Sequence, residues 1–180
     1  MPAPPGSADG GHPAPGPLGV VQSLANTLRD GRGGDPLGAR EDAAAWLFAA
    51  GLLPAGSALS NSDHAALLRL RESLGDFLAA RTGGRQDDDA AARLTKALAD
   101  GRVVVTVESP GTIGLASAAR ASYSSLVAAV AVAIAESAAA GTWPRLKSCS
   151  AGNCGVAFYD GSDSAAATRC AAHADPDHGA

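Results

Sequence analysis

The sequence predicts a mostly α-helical fold with a β-hairpin insert and a small cysteine-containing unit at its C-terminal end. Three observations support this fold class. Leucine and alanine recur at helical spacing through most of the chain, which is typical of amphipathic helices. One β-branched run, from Arg102 to Glu108, interrupts that spacing. All three cysteines lie between residues 149 and 170.

The chain divides into three predicted parts. Residues 1–17 contain six prolines and four glycines without an apolar period, so we expect a disordered leader. Residues 18–142 carry the helical patterns and form the predicted helical domain. Residues 143–180 contain the cysteines and form the predicted C-terminal unit.

Four helices are expected before the hairpin. The first starts at Leu18 and keeps four apolar side chains, Val20, Val21, Leu24 and Leu28, on one face. The second begins near Glu41-Asp42, whose carboxylates suit a helix N-terminus, and stops at Gly51. Ser60-Asn-Ser-Asp63 is a capping cluster ahead of the third, which ends at Gly83-Gly84. The fourth spans 87–99.

The hairpin and a fifth helix complete the predicted domain. Residues 102–108 form the first strand, 109–112 a turn, and 113–116 a second strand. A two-stranded ribbon is marginal alone, so we expect it to pack on helices. An alanine-rich helix follows over 117–140, with Trp143-Pro144 connecting it to the cysteines.

Composition excludes several classes of protein. The formal net charge of −4 disfavours a broad electrostatic grip on nucleic acid. The longest apolar run, Leu126–Ala135, is half the length that a membrane span needs. The N-terminus lacks the basic and apolar regions of a secretory signal. We therefore expect a cytoplasmic protein with no membrane contact and with reduced cysteines.

The cysteine segment is the strongest chemical signal. Cys149 and Cys154 are separated by a turn containing Gly152, and Cys170 follows. Cysteine thiolates are zinc ligands and four ligands complete a structural site, so the spacing favours a small zinc-ribbon-like finger whose folding depends on Zn²⁺. The alternative from the same residues is three ordinary cysteines.

Three sets of residues carry a family resemblance. They are Leu24-Ala-Asn-Thr27 with Glu41-Asp42 and Trp46-Leu47, then Arg145-Leu-Lys-Ser-Cys149-x₄-Cys154, then Phe158-Tyr-Asp-Gly-Ser162 ahead of Cys170. Over about residues 18–175 the chain resembles the bacterial CGNR zinc-finger proteins, whose N-terminal domain is called ABATE. The resemblance implies a transcription regulator with a C-terminal finger that binds DNA.

The finger departs from the family pattern at its fourth ligand. The fourth cysteine of that family falls at Asp175 here. His173 could complete the site instead, since imidazole binds zinc well; Asp175 could serve as an oxygen ligand; or the site could hold no metal.

The finger is also poor in basic residues. Residues 141–180 hold three cations, Arg145, Lys147 and Arg169, against four carboxylates. These three cations are the candidate nucleic-acid contacts, because phosphate binding requires positive charge. The leading hypothesis is a transcription regulator that binds nucleic acid through the finger. The alternative is a degenerate paralogue that does not bind DNA and acts as a ligand-binding or protein-interaction module.

A second candidate site follows the first helix. Asn26, Thr27 and Arg29 form a polar cluster beside a glycine-rich loop, which suggests a pocket for a small-molecule effector; the alternative is an ordinary helix end. An amide beside a leucine-rich face also predicts a buried hydrogen bond at Asn26. No catalytic arrangement is recognisable, so we expect no enzyme. A homodimer is a further expectation.

Overall fold

The computed structural model of the chain describes residues 13–28, 34–120 and 122–174. The predicted fold class is confirmed: the protein is mostly α-helical, with a β-hairpin insert and a C-terminal Cys/His cluster. The helices are α1 (Leu18–Asn26), α2 (Arg40–Ala49), α3 (Asn61–Thr82), α4 (Asp88–Leu98) and α5 (Tyr123–Ala139). The strands are β1 (Val103–Glu108), β2 (Thr112–Ser117), β3 (Leu146–Ser148) and β4 (Ala157–Tyr159).

Helix α3 is the centre of the packing. Ser60 begins it with a capping box, in which the Ser60 hydroxyl accepts from the Asp63 N–H and the Asp63 carboxylate accepts from the Ser60 N–H. Such reciprocal caps satisfy two backbone donors at a helix start. Its fully buried leucines, at i, i+3 and i+4 spacing, are Leu67, Leu70, Leu74 and Leu78. They join side chains of α1, α2 and α5 in one core.

The hairpin packs on α5 mainly through β2. Its strands are antiparallel, with Val105 opposite Leu115. Gly101 lies just before β1 and close to α5, where a Cβ at this position would be 2.7 Å from the Ala128 backbone nitrogen. Only glycine allows the chain to approach α5 so closely.

The C-terminal unit is a short antiparallel ribbon docked on the helices. Strand β3 pairs with β4, with Leu146 opposite Tyr159. Leu146 and Ala157 are buried in the core of the helical region. The ribbon is therefore continuous with that core and does not form a separate body behind a linker.

Three predicted boundaries differ from the structure. Helix α1 ends at Asn26, and Leu28, placed on its buried face by periodicity, is 51% exposed. Helix α5 starts at Tyr123 instead of residue 117, because Ser122 forms a capping box there and β2 extends to Ser117. Within the predicted leader, Ala14 is buried and its N–H donates to Gln22 Oε1; residues 1–12 lie outside the described part of the chain. None of the helices described has the length and apolar character to cross a bilayer.

Candidate metal centre

The ribbon positions the first two cysteines. Cys149 directly follows β3, and its N–H donates to the Val156 carbonyl at 2.8 Å, which extends the pairing towards the turn. Within the turn the Cys154 N–H donates to the Ala151 carbonyl, and Gly152 adopts φ +46°. Because left-handed backbone is unfavourable for other residues, Gly152 allows the turn to bring both sulfurs to one side.

The remaining two ligand candidates come from the segment after β4. Cys170 precedes a short 3₁₀ turn, Ala171–His173, which brings His173 Nδ1 to 3.3 Å from Cys170 Sγ and 3.8 Å from Cys149 Sγ. Cys154 Sγ lies 3.9 Å from Cys170 Sγ. All four donor atoms lie within 4.8 Å of one another.

These distances fit a tetrahedral ion. With Zn–S bonds of about 2.3 Å and Zn–N bonds of about 2.0 Å, tetrahedral donors lie roughly 3.5–3.8 Å apart. Three of the observed separations, 3.3, 3.8 and 3.9 Å, bracket that range, and the set of four atoms extends to 4.8 Å. Cys149, Cys154, Cys170 and His173 are thus close enough to hold a metal ion. Asp175, the alternative fourth ligand, lies outside the described residues.

The electrostatics of the sulfurs also favour a cation between them. Burial would raise the pKa of Cys149, but hydrogen bonds from the backbone of Cys170 and Ala151 lower it overall. Burial and the adjacent Cys149 sulfur raise the pKa of Cys170 to about 11. Because neighbouring thiolates repel each other, a cation bound between Cys149 and Cys170 would favour the deprotonated form of both.

Asp160 organises the loop that returns to Cys170. Its side chain is 2% exposed. One carboxylate oxygen accepts from the N–H and hydroxyl of Ser162, and the other accepts from Lys147 and the Ala167 N–H. Burial would raise the pKa of Asp160, but the bonds from Lys147 and Ser162 hold it at about 2. These hydrogen bonds from Lys147, Ser162 and Ala167 to the Asp160 carboxylate hold the loop in place, and we call them the loop brace.

Two of the three predicted nucleic-acid contacts, Lys147 and Arg145, donate hydrogen bonds to this loop. The Lys147 ammonium donates to Asp160 at 2.8 Å and to the carbonyls of Ala165 and Ala167, so all three of its donors have acceptors. Arg145 Nη1 donates to the carbonyls of Asp160 and Ser162. Their assignment as phosphate contacts stays a prediction; in the structure both cations donate to carbonyls of the 160–167 segment. Arg169 is exposed.

Two of the predicted effector residues, Asn26 and Thr27, make internal hydrogen bonds, and Asn26 forms a joint between α1 and β4. Asn26 is buried; its amide N–H donates to the Ala157 carbonyl at 2.8 Å, and its amide oxygen accepts from the Ala157 N–H at 2.7 Å. The Thr27 hydroxyl donates to the Leu24 carbonyl. Their assignment to an effector pocket stays a prediction; in the structure these polar groups have partners within the protein. Arg29 lies outside the described residues.

The end of α3 makes a second joint with the ribbon. The Arg81 guanidinium donates to the Leu146 carbonyl and lies 4.7 Å from the Trp143 ring centroid. Burial lowers the pKa of Arg81 to about 10. The Ser148 N–H donates to the Thr82 hydroxyl at 3.0 Å. Nothing in the sequence distinguished these residues, because their partners are distant along the chain.

The sequence patterns did not predict the ion pair between the buried Arg71 and Asp35. Arg71 is 4% exposed and donates to both carboxylate oxygens of Asp35, at 2.6 and 3.0 Å. Burial would raise the pKa of Asp35, but the bonds from Arg71 lower it overall. The available signal was spacing: Arg71 follows Leu67 by four residues and precedes Leu74 by three, so it falls on the apolar face of α3.

A cleft of about 450 Å³ lies between α3 and the 149–154 turn. Its walls come from the end of α1, from α3 and from the turn. Side chains at its α3 wall include Arg71, Glu72 and Asp76, and Cys149, Gly152 and Asn153 form the opposite wall. Volumes of this order accommodate small molecules.

The profile of one protein family matches residues 19–141. The chain belongs to the ABATE family. That family is described as a "putative stress-induced transcription regulator". The ABATE region thus covers α1 to α5, and the Cys/His cluster lies beyond it, where it is compatible with a CGNR-type finger. No curated protein matches the chain.

Proposed function

We propose that this ABATE-family protein is a non-enzymatic, cytoplasmic transcription regulator with a structural zinc ion in its C-terminal finger. One observation carries the zinc assignment: three cysteine sulfurs and a histidine nitrogen converge within 4.8 Å. Three thiolates and an imidazole are a common ligand set of closed zinc sites, which stabilise folds and leave no position for chemistry. The ribbon has a small core of its own, consisting of Phe158 beside the cysteines, so metal binding would supply much of its stability.

Zinc content tests this assignment directly. Purified protein should contain about one zinc per chain, measured by inductively coupled plasma mass spectrometry. Cys149→Ser, Cys154→Ser and His173→Ala should each lower that content, whereas Ser150→Ala, an exposed change in the same turn, should not. A zinc content far below one per chain in the wild type would overturn the proposal, and retention in His173→Ala would remove His173 from the site.

For the mode of action, we infer a ligand-binding or protein-interaction module in preference to a finger that binds nucleic acid. The internal hydrogen bonds of Lys147 support this choice, because all three of its N–H donors have acceptors and a phosphate contact would displace at least one of them. The cleft between α3 and the turn supports it as well, since a small molecule there would touch both parts of the protein. Nucleic-acid binding is the second candidate, and Arg169 is the exposed cation of the finger that would serve it.

Duplex binding as a function of salt separates the two modes. A finger with few phosphate contacts should bind weakly and with a shallow slope, because each contact contributes close to one unit of slope. Binding should be measured for the wild type, for Arg169→Glu and for Arg85→Glu, an exposed control outside the finger. Tight binding with a steep slope that Arg169→Glu abolishes and Arg85→Glu preserves would establish the nucleic-acid mode instead.

A further inference from the structure

The β1–β2 hairpin exposes an unusual amount of apolar surface. Side chains alternate between the two faces of a strand, and one face of this hairpin carries four exposed β-branched residues. They are Val103 (37% exposed), Val105 (64%), Val107 (73%) and Ile113 (71%). Such a concentration on a strand at the edge of a sheet marks an interaction surface or an aggregation hazard.

The outer edge of β1 also carries backbone groups that are not paired with any other described strand. In the described chain this sheet has two strands, so β1 has β2 on one side only. The Ala118 N–H donates to the Arg102 carbonyl, which places Arg102 among the residues whose backbone groups face β2. Because these directions alternate along an antiparallel pair, the N–H and C=O groups of Val103, Val105 and Val107 face outwards.

We propose that a second copy of this chain pairs with that edge, antiparallel and centred on Val105, to form a continuous four-stranded sheet. A twofold interface places the same surface on both partners. Centring on Val105 sets Val103 opposite Val107 of the second copy and Val105 opposite itself. The pairing therefore aligns the residues with outward-facing backbone groups and sets valine beside valine on the exposed face.

The charged residues at the two ends of β1 favour a second copy of the chain as the partner and favour this pairing register. Arg102 precedes the strand and Glu108 ends it, and both are exposed. Neither takes part in an ion pair with any other described residue. In the proposed register each Arg102 lies opposite Glu108 of the second copy, which makes two symmetric cross-strand ion pairs. Oppositely charged residues in this relation stabilise strand pairing, so the edge is complementary to itself.

Charge exchange tests both partner and register by sedimentation equilibrium of the full chain. The wild type should be a dimer. Arg102→Glu alone and Glu108→Arg alone each place like charges opposite one another, and each should weaken the dimer by about tenfold or more. An equimolar mixture of the two variants should recover association as a heterodimer, because glutamate of one chain then faces arginine of the other at both ends. Arg85→Glu is the control for the same charge change elsewhere.

A backbone variant tests the edge independently of charge. Val105→Pro removes an outward-facing N–H without removing a bond to β2, a position where edge strands tolerate proline; it should abolish the dimer while helical circular dichroism is retained. Val105→Thr keeps that N–H and should remain dimeric. A monomeric wild type overturns the proposal. A dimer that is insensitive to the charge changes, or single variants that fail to recover on mixing, also overturns it.

Discussion

Asn26→Ala should uncouple the finger from the helical region. The substitution removes the acceptor of the buried Ala157 N–H, whereas the Ala157 carbonyl keeps a weaker bond from Gln22 at 3.2 Å. An unsatisfied buried donor costs about 1–3 kcal/mol, and the lost amide bond adds about 1 kcal/mol. We therefore expect the free energy of unfolding to fall by roughly 2–4 kcal/mol.

Two measurements test this predicted loss of stability. Urea unfolding monitored by circular dichroism gives the free energy, and competition with a chelator gives the apparent zinc affinity. Because metal binding and folding of the finger are linked, zinc affinity should fall by about tenfold or more. Gln22→Ala, which removes only the weaker bond, is the matched control and should cost about 1 kcal/mol or less. An Asn26→Ala protein as stable as Gln22→Ala would refute the role given to this joint.

Two further substitutions test the buried charges. Lys147→Met leaves the Asp160 carboxylate buried without its cation and should lower the free energy of unfolding, measured in urea, by about 3 kcal/mol. Lys96→Met changes an exposed lysine and should have almost no effect on stability. An equal loss of stability in both variants would contradict the role given to the loop brace. Asp35→Asn should cost about 3 kcal/mol at neutral pH by leaving Arg71 unpaired. The pKa of Asp35 is lowered on folding, so its contribution is present above its ordinary pKa of 3.8 and is lost as the pH falls below that value. The stability gap between wild type and Asp35→Asn should therefore narrow below about pH 4; a gap that is independent of pH would exclude the ion pair as its source.

Local sequence patterns predicted which helices and strands form better than they predicted the residues at which these begin and end. The capping cluster at Ser60 and the leucine spacing after it predicted α3 because a cap and an amphipathic face act within a few residues. The start of α5 was missed because alanine-rich sequence is compatible with helix at residue 117 as well as at Tyr123. There the pairing of β2 with β1 overrides helix propensity, and propensity is only a weak prior against tertiary contacts.

The candidate metal centre was predicted in its residues but not in its surroundings. Cysteine spacing indicated Cys149, Cys154 and Cys170, and ligand chemistry left His173 and Asp175 as alternatives for the fourth ligand. Charge alone suggested that Lys147 and Arg145 were free for phosphate. Their actual partners are carbonyls of the 160–167 loop, and backbone acceptors leave no mark in a sequence.

The sequence by itself determined the helical fold class, the ribbon, the three cysteine ligand candidates with His173 or Asp175 as the fourth, and the resemblance to a regulator family. Those features depend on residue type and on spacing over a few residues, which a sequence displays directly. The tertiary structure alone decided that Asn26 binds Ala157 across 131 positions of chain and that Arg71 pairs with Asp35. It also decided that, among the described residues, β1 is paired with another strand along one edge only. These facts depend on which distant segments meet, and that is settled by packing of the whole core.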